Sequence, residues 1–323
     1  MAELRWHPFI KDWVMIASHR QDRPQMPKDW CPFCPGSGNV PDYEVMNYDN
    51  DFPALSANPP VPDPVGNDFF ITALAYGRCE VILYSPKHTA TLPELTVDHI
   101  TKLVDLWTER FAALSADEKI KYVFIFENRG EVVGVTMPHP HGQIYGYPFI
   151  PKKILLELDA FREHSRNNGE CLMCRFLKEE IKFGKRVIFE NDDFITVLPF
   201  FVEYPYGVYI VSKAHKQNLT QMDAGEKRNL AKAIRETAGM LDALFDMPFP
   251  YMMCMHQNPV NTAESYEDYH FHIEFFPPMR SREKQKFNAS SETGAWAHCN
   301  TTSPEEKAEE LKEAHKRFTG KSK

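Results

Sequence analysis

No apolar run in this chain approaches the roughly 18 residues that a membrane-spanning helix needs. The first residues, Met1-Ala-Glu-Leu-Arg-Trp6, lack the apolar core of a secretory signal. An excess of positive charge is also missing. Lys and Arg number 37 against 45 Asp and Glu, a net charge of −8, so the surface offers nucleic acid no general attraction. These absences lead us to expect a cytoplasmic protein with no membrane or nucleic-acid partner. Any phosphate it binds must meet local basic groups and backbone donors. Cysteine is scarce and odd in number, seven in all, and four of the seven form two Cys-x-x-Cys pairs. In a cytosolic chain that spacing favours metal over disulfides. A redox dithiol would want one such pair opening a helix in a thioredoxin-like fold. Here both pairs recur in similar contexts, each followed by histidines. With 323 residues, 43% hydrophobic and 25% charged, the chain can bury the core of one large or two medium domains.

What the chain does have is an internal repeat. The first half runs Cys31-Pro-Phe-Cys34, Asn50-Asp51-Phe52, then Glu80-Val-Ile-Leu-Tyr84 leading to Ser85-Pro-Lys-His88. A helical stretch near Val97 to Leu114 follows, then a strand from Tyr122 to Glu127 and Pro138-His139-Pro-His141. The second half runs Cys171-Leu-Met-Cys174, Asn191-Asp-Asp-Phe194, then Tyr206-Gly-Val-Tyr-Ile-Val211 leading to Ser212-Lys-Ala-His215. A helix near Ala224 to Phe245 follows, then Tyr269-His270-Phe-His272. The intervals from His88 to His139 and from His215 to His270 are nearly equal. In the first helix Ile100, Leu103, Val104, Leu106, Trp107, Phe111 and Leu114 recur at helical period, as expected of one face packed on a sheet.

The expected fold class is therefore α+β: two duplicated units with antiparallel sheets, each carrying a helix on one face, joined edge to edge. The units are residues 1–165 and 166–323, divided in the polar loop Ser165-Arg-Asn-Asn-Gly169. Pro53 to Pro64 reads as a surface loop or lid. A last helix starts at Ser303-Pro-Glu-Glu306, with an N-cap serine, proline at the first helical position and a capping glutamate. The basic end, Lys316 to Lys323, is expected to fray.

The sharpest local motif is Pro138-His139-Pro140-His141-Gly142-Gln143. On a strand, His-x-His puts both rings on one face. Standing alone, such a pair is more often a metal pair than a catalytic one. Here Cys31, Cys34, His88 and His139 complete a four-ligand set for tetrahedral zinc. His141 then stands outside that set, on a strand the metal would hold. A neutral imidazole is a competent nucleophile near pH 7, and attack on phosphorus splits one difficult displacement into two easier ones. Gln143 can donate to a phosphoryl oxygen as charge shifts.

Over nearly its whole length the sequence resembles the galactose-1-phosphate uridylyltransferase family of the histidine-triad superfamily. The resemblance is carried by Ser18-His-Arg20-Gln-Asp-Arg23-Pro24, Cys31-Pro-Phe-Cys34, Asn50-Asp51-Phe52-Pro-Ala-Leu55, Ser85-Pro-Lys-His88, Thr91-Leu-Pro-Glu-Leu95 and the run from Asn128 to Gln143. His256, His270-Phe-His272 and Phe276-Pro-Pro-Met-Arg-Ser281 continue it. The resemblance implies fused histidine-triad half-barrels with helices packed outside, assembled as a homodimer. It implies that His141 becomes uridylylated and that Gln143 stabilises the phosphate. By the same resemblance Arg20, Arg23, Asn50, Asp51, Phe52, Asn128 and Thr136 contact the nucleotide or phosphates. Lys286, Phe287 and Glu292 resemble the hexose-contacting segment, contributed across the dimer. Three positions depart from the family pattern: Thr136 stands for serine, Met137 for asparagine and His298 for glutamine.

A second metal has two candidate ligand sets. The resemblance matches Glu157, His256, His270 and His272 to a site holding iron or zinc. The repeat instead offers Cys171, Cys174, His215 and His270, an echo of the first set, and ADP-glucose phosphorylases among the relatives carry two such zinc sites. Thiolates suit zinc better than a carboxylate does. Two zinc ions per chain are expected, the second structural. Ile273-Glu274 follows His272 where Gly-Gln follows His141, so the second half reads as non-catalytic. The expected activity is exchange of UMP between UDP-glucose and galactose 1-phosphate through a uridylyl-histidine. The alternative is an ADP-sugar or dinucleoside-polyphosphate phosphorylase using the same histidine chemistry.

Overall fold

The computed structural model describes residues 2–22 and 30–321. In chain order it comprises β1 (Ala2–His7), β2 (Asp12–Ala17), β3 (Met46–Asp49), β4 (Thr72–Leu74), β5 (Arg78–Leu83), α1 (Val97–Ser115), β6 (Tyr122–Arg129) and β7 (His141–Tyr147). Then follow α2 (Lys152–Asn168), α3 (Leu172–Phe183), β8 (Val187–Glu190), β9 (Phe194–Val197), β10 (Tyr209–Ser212), α4 (Ala224–Phe245), β11 (Tyr251–His256), β12 (His272–Phe276), α5 (Ser290–Ala295) and α6 (Pro304–Lys321).

Nine strands form one open antiparallel sheet in the order β3-β5-β7-β6-β11-β12-β10-β9-β8. The halves join edge to edge, as expected, where β6 pairs with β11 from Tyr251↔Arg129 to Met255↔Ile125. A separate three-stranded sheet, β2-β1-β4, has no counterpart in the sequence reading.

Helices α1 and α4 cover one face of the large sheet. Thr96 caps α1 by accepting from the His99 N–H, and Asp223 with Glu226 forms a capping box on α4. The apolar stripe of α1 buries Ile100, Leu103, Val104, Trp107, Phe111 and Leu114, with Leu106 half-buried beside them. Each large side chain so buried contributes about 1.5–3 kcal/mol. α6 packs on α4 so closely that a Cβ at Gly239 would lie 2.3 Å from the Phe318 ring. This helix runs through Lys321, so the expected fraying from Lys316 is not seen over the described residues.

The opposite face differs between the halves. Over the second half it is covered by α2 and α3, whose Ile154, Leu158, Phe161, Met173 and Leu177 pack with Ile195, Val197 and Val211. The stretch expected to be a dividing polar loop is the last turn of α2. The helix continues to Asn168 because its buried stripe holds it, and Gly169 ends it at φ 69°.

Candidate active site and metal centres

A turn in which the Cys34 N–H donates to the Cys31 carbonyl brings both thiols inward, against Phe33, Val40, Val81, Leu83 and Met137. His88 follows β5 and His139 precedes β7. The Cys31 Sγ lies 3.6 Å from His139 Nδ1, and the Cys34 Sγ lies 3.5 Å from His88 Nδ1 and 3.7 Å from His139 Nδ1. Tetrahedral zinc, with bonds of about 2.3 Å to sulfur and 2.0–2.1 Å to nitrogen, separates such atoms by about 3.6 Å. The donor set therefore fits zinc. The far nitrogen of His139 is engaged as well: Nε2–H donates to the Ser85 carbonyl at 2.8 Å, and the Tyr43 hydroxyl lies 2.8 Å away. Such a contact fixes the ring so that Nδ1 faces the metal. Burial pushes the His139 ring down to about 4, so it is neutral and ready to ligate.

His141 opens β7. Its Nδ1–H donates to the His139 carbonyl at 2.7 Å. A carbonyl only accepts, so the proton sits on Nδ1 and the ring's lone pair on Nε2. One cavity beside it is lined by Asn128, Gly134, Val135, Thr136, Met137, Gly142 and Gln143. A neighbouring cavity of about 310 Å³ also includes His141, with Tyr84, Glu127 and Arg129. The structure thus brings Asn128, Thr136 and Gln143 together with His141. The loop carrying Thr136 turns at Gly130 (φ 97°) and Gly134 (φ 82°), conformations that favour glycine.

Other sequence candidates lie further out. Arg20 donates to the Tyr145 hydroxyl at 3.3 Å, and Tyr145 shares a face of β7 with His141 and Gln143. Arg23 lies outside the described residues. Asn50 accepts from the Phe52 N–H at 2.9 Å, and Asp51 accepts from the Tyr48 hydroxyl at 3.1 Å. These three residues follow β3 and do not line the two cavities at His141. Neither do Lys286, Phe287 and Glu292. Lys286 donates to Glu292 at 2.7 Å, and Phe287 is exposed. His298 Nδ1 stands 3.4 Å from Glu203.

The second half repeats the metal geometry. The Cys171 and Cys174 sulfurs both lie 3.6 Å from His270 Nδ1, and Cys174 lies 3.8 Å from His215 Nδ1. His270 Nε2–H donates to the Ser212 carbonyl at 2.8 Å, as His139 does to Ser85. Hydrogen bonds from Cys171 and His270 pull the Cys174 thiol below its ordinary value. The Ser-x-x-His spacing common to both halves marks these two serines in the sequence, whereas no pattern marks Tyr43.

A third group of possible ligands is Glu157, His256, His272 and Glu274. This corrects the second candidate set. His270 faces the cysteines, and Glu274 takes the fourth place. Within the group His256 Nδ1 is 2.9 Å from Glu157, and the Lys153 ammonium donates to Glu274 at 2.5 Å. Burial disfavours charge on His256, yet the Glu157 and Glu274 carboxylates raise its pKa above the ordinary value. α2 supplies Lys153 and Glu157 to the group around His272.

The sequence matches the family described as galactose-1-phosphate uridyl transferase, N-terminal domain, over residues 1–151, and the corresponding C-terminal domain over 157–319. It is 39% identical to galactose-1-phosphate uridylyltransferase of Thermotoga maritima, over 97% of this chain and 98% of that one. Identity to the enzyme of that name from Rattus norvegicus is 30%, over 99% and 90%. A solved uridylyltransferase superposes with a TM-score of 0.89 at 31% identity, over 98% of this chain and 99% of that one. An ADP-glucose phosphorylase from Arabidopsis thaliana with bound ADP-glucose shares the fold, with a TM-score of 0.74 at 24% identity over 97% and 99%. The chain belongs to the galactose-1-phosphate uridylyltransferase family.

Proposed function

We propose that this protein exchanges UMP between UDP-glucose and galactose 1-phosphate, with His141 Nε2 as the nucleophile. The lone pair on Nε2 attacks the α-phosphorus, the bond from that phosphorus to the bridging oxygen breaks, and its electron pair leaves with glucose 1-phosphate. A phosphate oxygen of galactose 1-phosphate then attacks the same phosphorus. The N–P bond breaks, its electrons return to Nε2, and UDP-galactose forms. The leaving group is a weakly basic sugar phosphate and needs no strong general acid. Throughout, the proton stays on Nδ1, hydrogen-bonded to the His139 carbonyl, and Gln143 donates to the phosphoryl oxygens. The observation that carries this reading is that His141, its nucleophilic tautomer fixed by the 2.7 Å contact from Nδ1 to the His139 carbonyl, borders open cavities lined by Asn128, Thr136 and Gln143.

On this reading Arg20, Arg23, Asn50, Asp51, Phe52, Asn128 and Thr136 hold the nucleotide. Lys286, Phe287 and Glu292 reach the hexose across a homodimer in the cytoplasm. Residues 1–165 form the catalytic histidine-triad half and 166–323 the non-catalytic one. Cys31, Cys34, His88 and His139, and Cys171, Cys174, His215 and His270, each hold zinc, which fastens the strand behind its second histidine. The adenylyl-transfer alternative draws less support, because the ADP-glucose phosphorylase likeness is one of fold at 24% identity. The test is incubation with UDP-glucose or ADP-glucose labelled in the α-phosphate. Acid-labile label on the protein from UDP-glucose is expected. Label from ADP-glucose alone would exclude the uridylyl reading.

A further inference from the structure

We propose that Tyr84, backed by Glu127, is a positioning residue for His141, gripping strand β7 on both sides of the nucleophile. The inference rests on His141 being that nucleophile.

Tyr84 meets β7 twice. Its backbone N–H donates to the Pro140 carbonyl at 3.0 Å, just before His141. Its hydroxyl lies under Gly142, just after it: a Cβ on that glycine would stand 2.2 Å from the Tyr84 oxygen and 3.0 Å from the Phe126 carbonyl. No side chain but hydrogen fits there. The tyrosine is itself held. Its ring stands edge-on to Trp107 of α1 at 5.8 Å, and the His99 Nε2–H donates to its carbonyl at 2.7 Å. The phenol end is therefore the part of this contact that its surroundings can move.

Those surroundings are polar and almost fully enclosed. Glu127 is 6% exposed, and its Oε1 accepts from the Tyr251 hydroxyl at 3.3 Å. Neither Glu127 Oε2 nor the Tyr84 hydroxyl has a regular hydrogen-bond partner among the described residues. Both line the same cavity as His141. The two groups lie within interaction range of each other, and burying a pair that makes no regular hydrogen bond costs free energy that phenylalanine and leucine would avoid at similar volume. The second half lacks this contact: where β7 has Gly142, β12 has Ile273, and Val211, opposite His272, packs with α2 and α3 on the other face of the sheet. The tyrosine–glycine contact is confined to the half that carries the nucleophile.

Among the described residues, the titratable and charged groups that act most strongly on this carboxyl are Arg129 on β6, Asp242, and the phenols of Tyr84 and Tyr251. Arg129 is committed to Asp242 through contacts of 2.8 and 2.9 Å. Burial pushes Glu127 up to about 7, against the pull of Arg129. Below that pH its neutral O–H can donate to the Tyr84 oxygen. Above it the carboxylate can only accept, and the phenol must turn its hydrogen towards it. The pressure on Gly142, and with it the aim of His141, changes between the two states.

The test is the single-turnover rate of His141 uridylylation from labelled UDP-glucose, followed from pH 5.5 to 8.5 on the full-length, zinc-loaded protein. Tyr84→Phe removes only the hydroxyl and is expected to slow labelling about 10-fold, within the cost of a small misplacement. Its apparent Kd for UDP-glucose should stay within about twofold of wild type, and its zinc content should be unchanged. Glu127→Gln should abolish the limb of the rate profile with its midpoint near 7. The double variant should be no slower than the worse single one, since both act through one contact. Wild-type rate and pH profile in both single variants would overturn the proposal. If Glu127→Gln does not fold, the Tyr84→Phe rate decides alone. Absence of label from the wild-type protein would instead sink the uridylyltransferase reading.

Discussion

His141 and His272 stand in the same relation to the chain. Each donates its Nδ1–H to the carbonyl of a histidine two residues earlier, at 2.7 and 2.9 Å, and each of those earlier histidines faces two cysteine sulfurs. Duplication has therefore built two rings with the same tautomer and the same metal-ready support. What separates them is what lies in front. His141 borders two cavities. His272 is 2% exposed, enclosed by Glu157, His256 and Glu274, with Lys153 from α2 on Glu274. Tautomer control alone does not make a nucleophile; access to substrate is also required.

The nucleophile assignment has a direct consequence. His141→Ala should retain fold and metal content and lose label transfer altogether. Turnover near the wild-type rate in that variant would disprove the mechanism. His141→Gly leaves a ring-sized space beside Gln143, and added imidazole should restore part of the transfer. Failure to label the wild-type protein with imidazole absent would leave no mechanism to rescue.

Metal analysis should return about two zinc ions per chain, one for each Cys₂His₂ set. Cys171→Ser should lower the melting temperature more than it lowers kcat, because on the proposed mechanism its set supports the half that does not react. A larger effect on kcat than on stability would place that metal in the reaction. An analysis returning three ions would mean that Glu157, His256, His272 and Glu274 bind one in competition with Lys153.

Glu127 also ties stability to pH. Its carboxyl titrates at an ordinary 4.5 when the chain is unfolded and at about 7 when folded. Between those values the native state binds more protons than the unfolded one, so this group's contribution declines as pH rises from 4.5 through 7. The full span corresponds to at most about 3 kcal/mol. Glu127→Gln cannot titrate. Its stability relative to wild type should therefore increase between pH 5 and 8 in urea melts. A constant difference across that range would show that Glu127 has no raised pKa in the folded protein.

Much of this site is legible in the sequence, for physical reasons. Cys-x-x-Cys, Ser-x-x-His and His-x-His occur in the same order twice; the expected strand placement holds only for His141 and His272, which open β7 and β12, while His139 and His270 precede the strands. The helical period of Ile100 to Leu114 gives α1 to within a residue, and the helix read near Ala224 to Phe245 is α4. Other features depend on tertiary packing. Ser165 to Asn168 reads as a loop by composition, yet stays helical because Ile154, Leu158 and Phe161 are buried upstream. Glu274 enters the ligand group because it shares a face of β12 with His272, whereas the resemblance points to His270. Tyr84 and Glu127 meet only because β5 and β6 flank β7, an adjacency that no motif records.

The hexose assignment makes a demand on charge. Glucose and galactose 1-phosphates differ at C4, and a site built to hydrogen-bond one hydroxyl normally rejects its epimer, because wrong placement leaves buried polar groups unpaired. A carboxylate with two accepting oxygens can take a hydroxyl hydrogen from either direction. Glu292 meets that requirement: Lys286 holds its carboxyl down at about 2, so it is ionised at every working pH. The same carboxylate accepts from the Ala289 N–H at 3.2 Å at the start of α5. Glu292→Ala would therefore disturb the segment as well as the sugar. Glu292→Gln keeps an acceptor for Ala289 but replaces one oxygen by a donor. That variant should lose most of its use of both sugar phosphates, with galactose and glucose 1-phosphate affected unequally, while binding UMP as wild type does. Equal loss of UMP and sugar-phosphate binding would remove Glu292 from the hexose site and leave it a structural partner of Lys286.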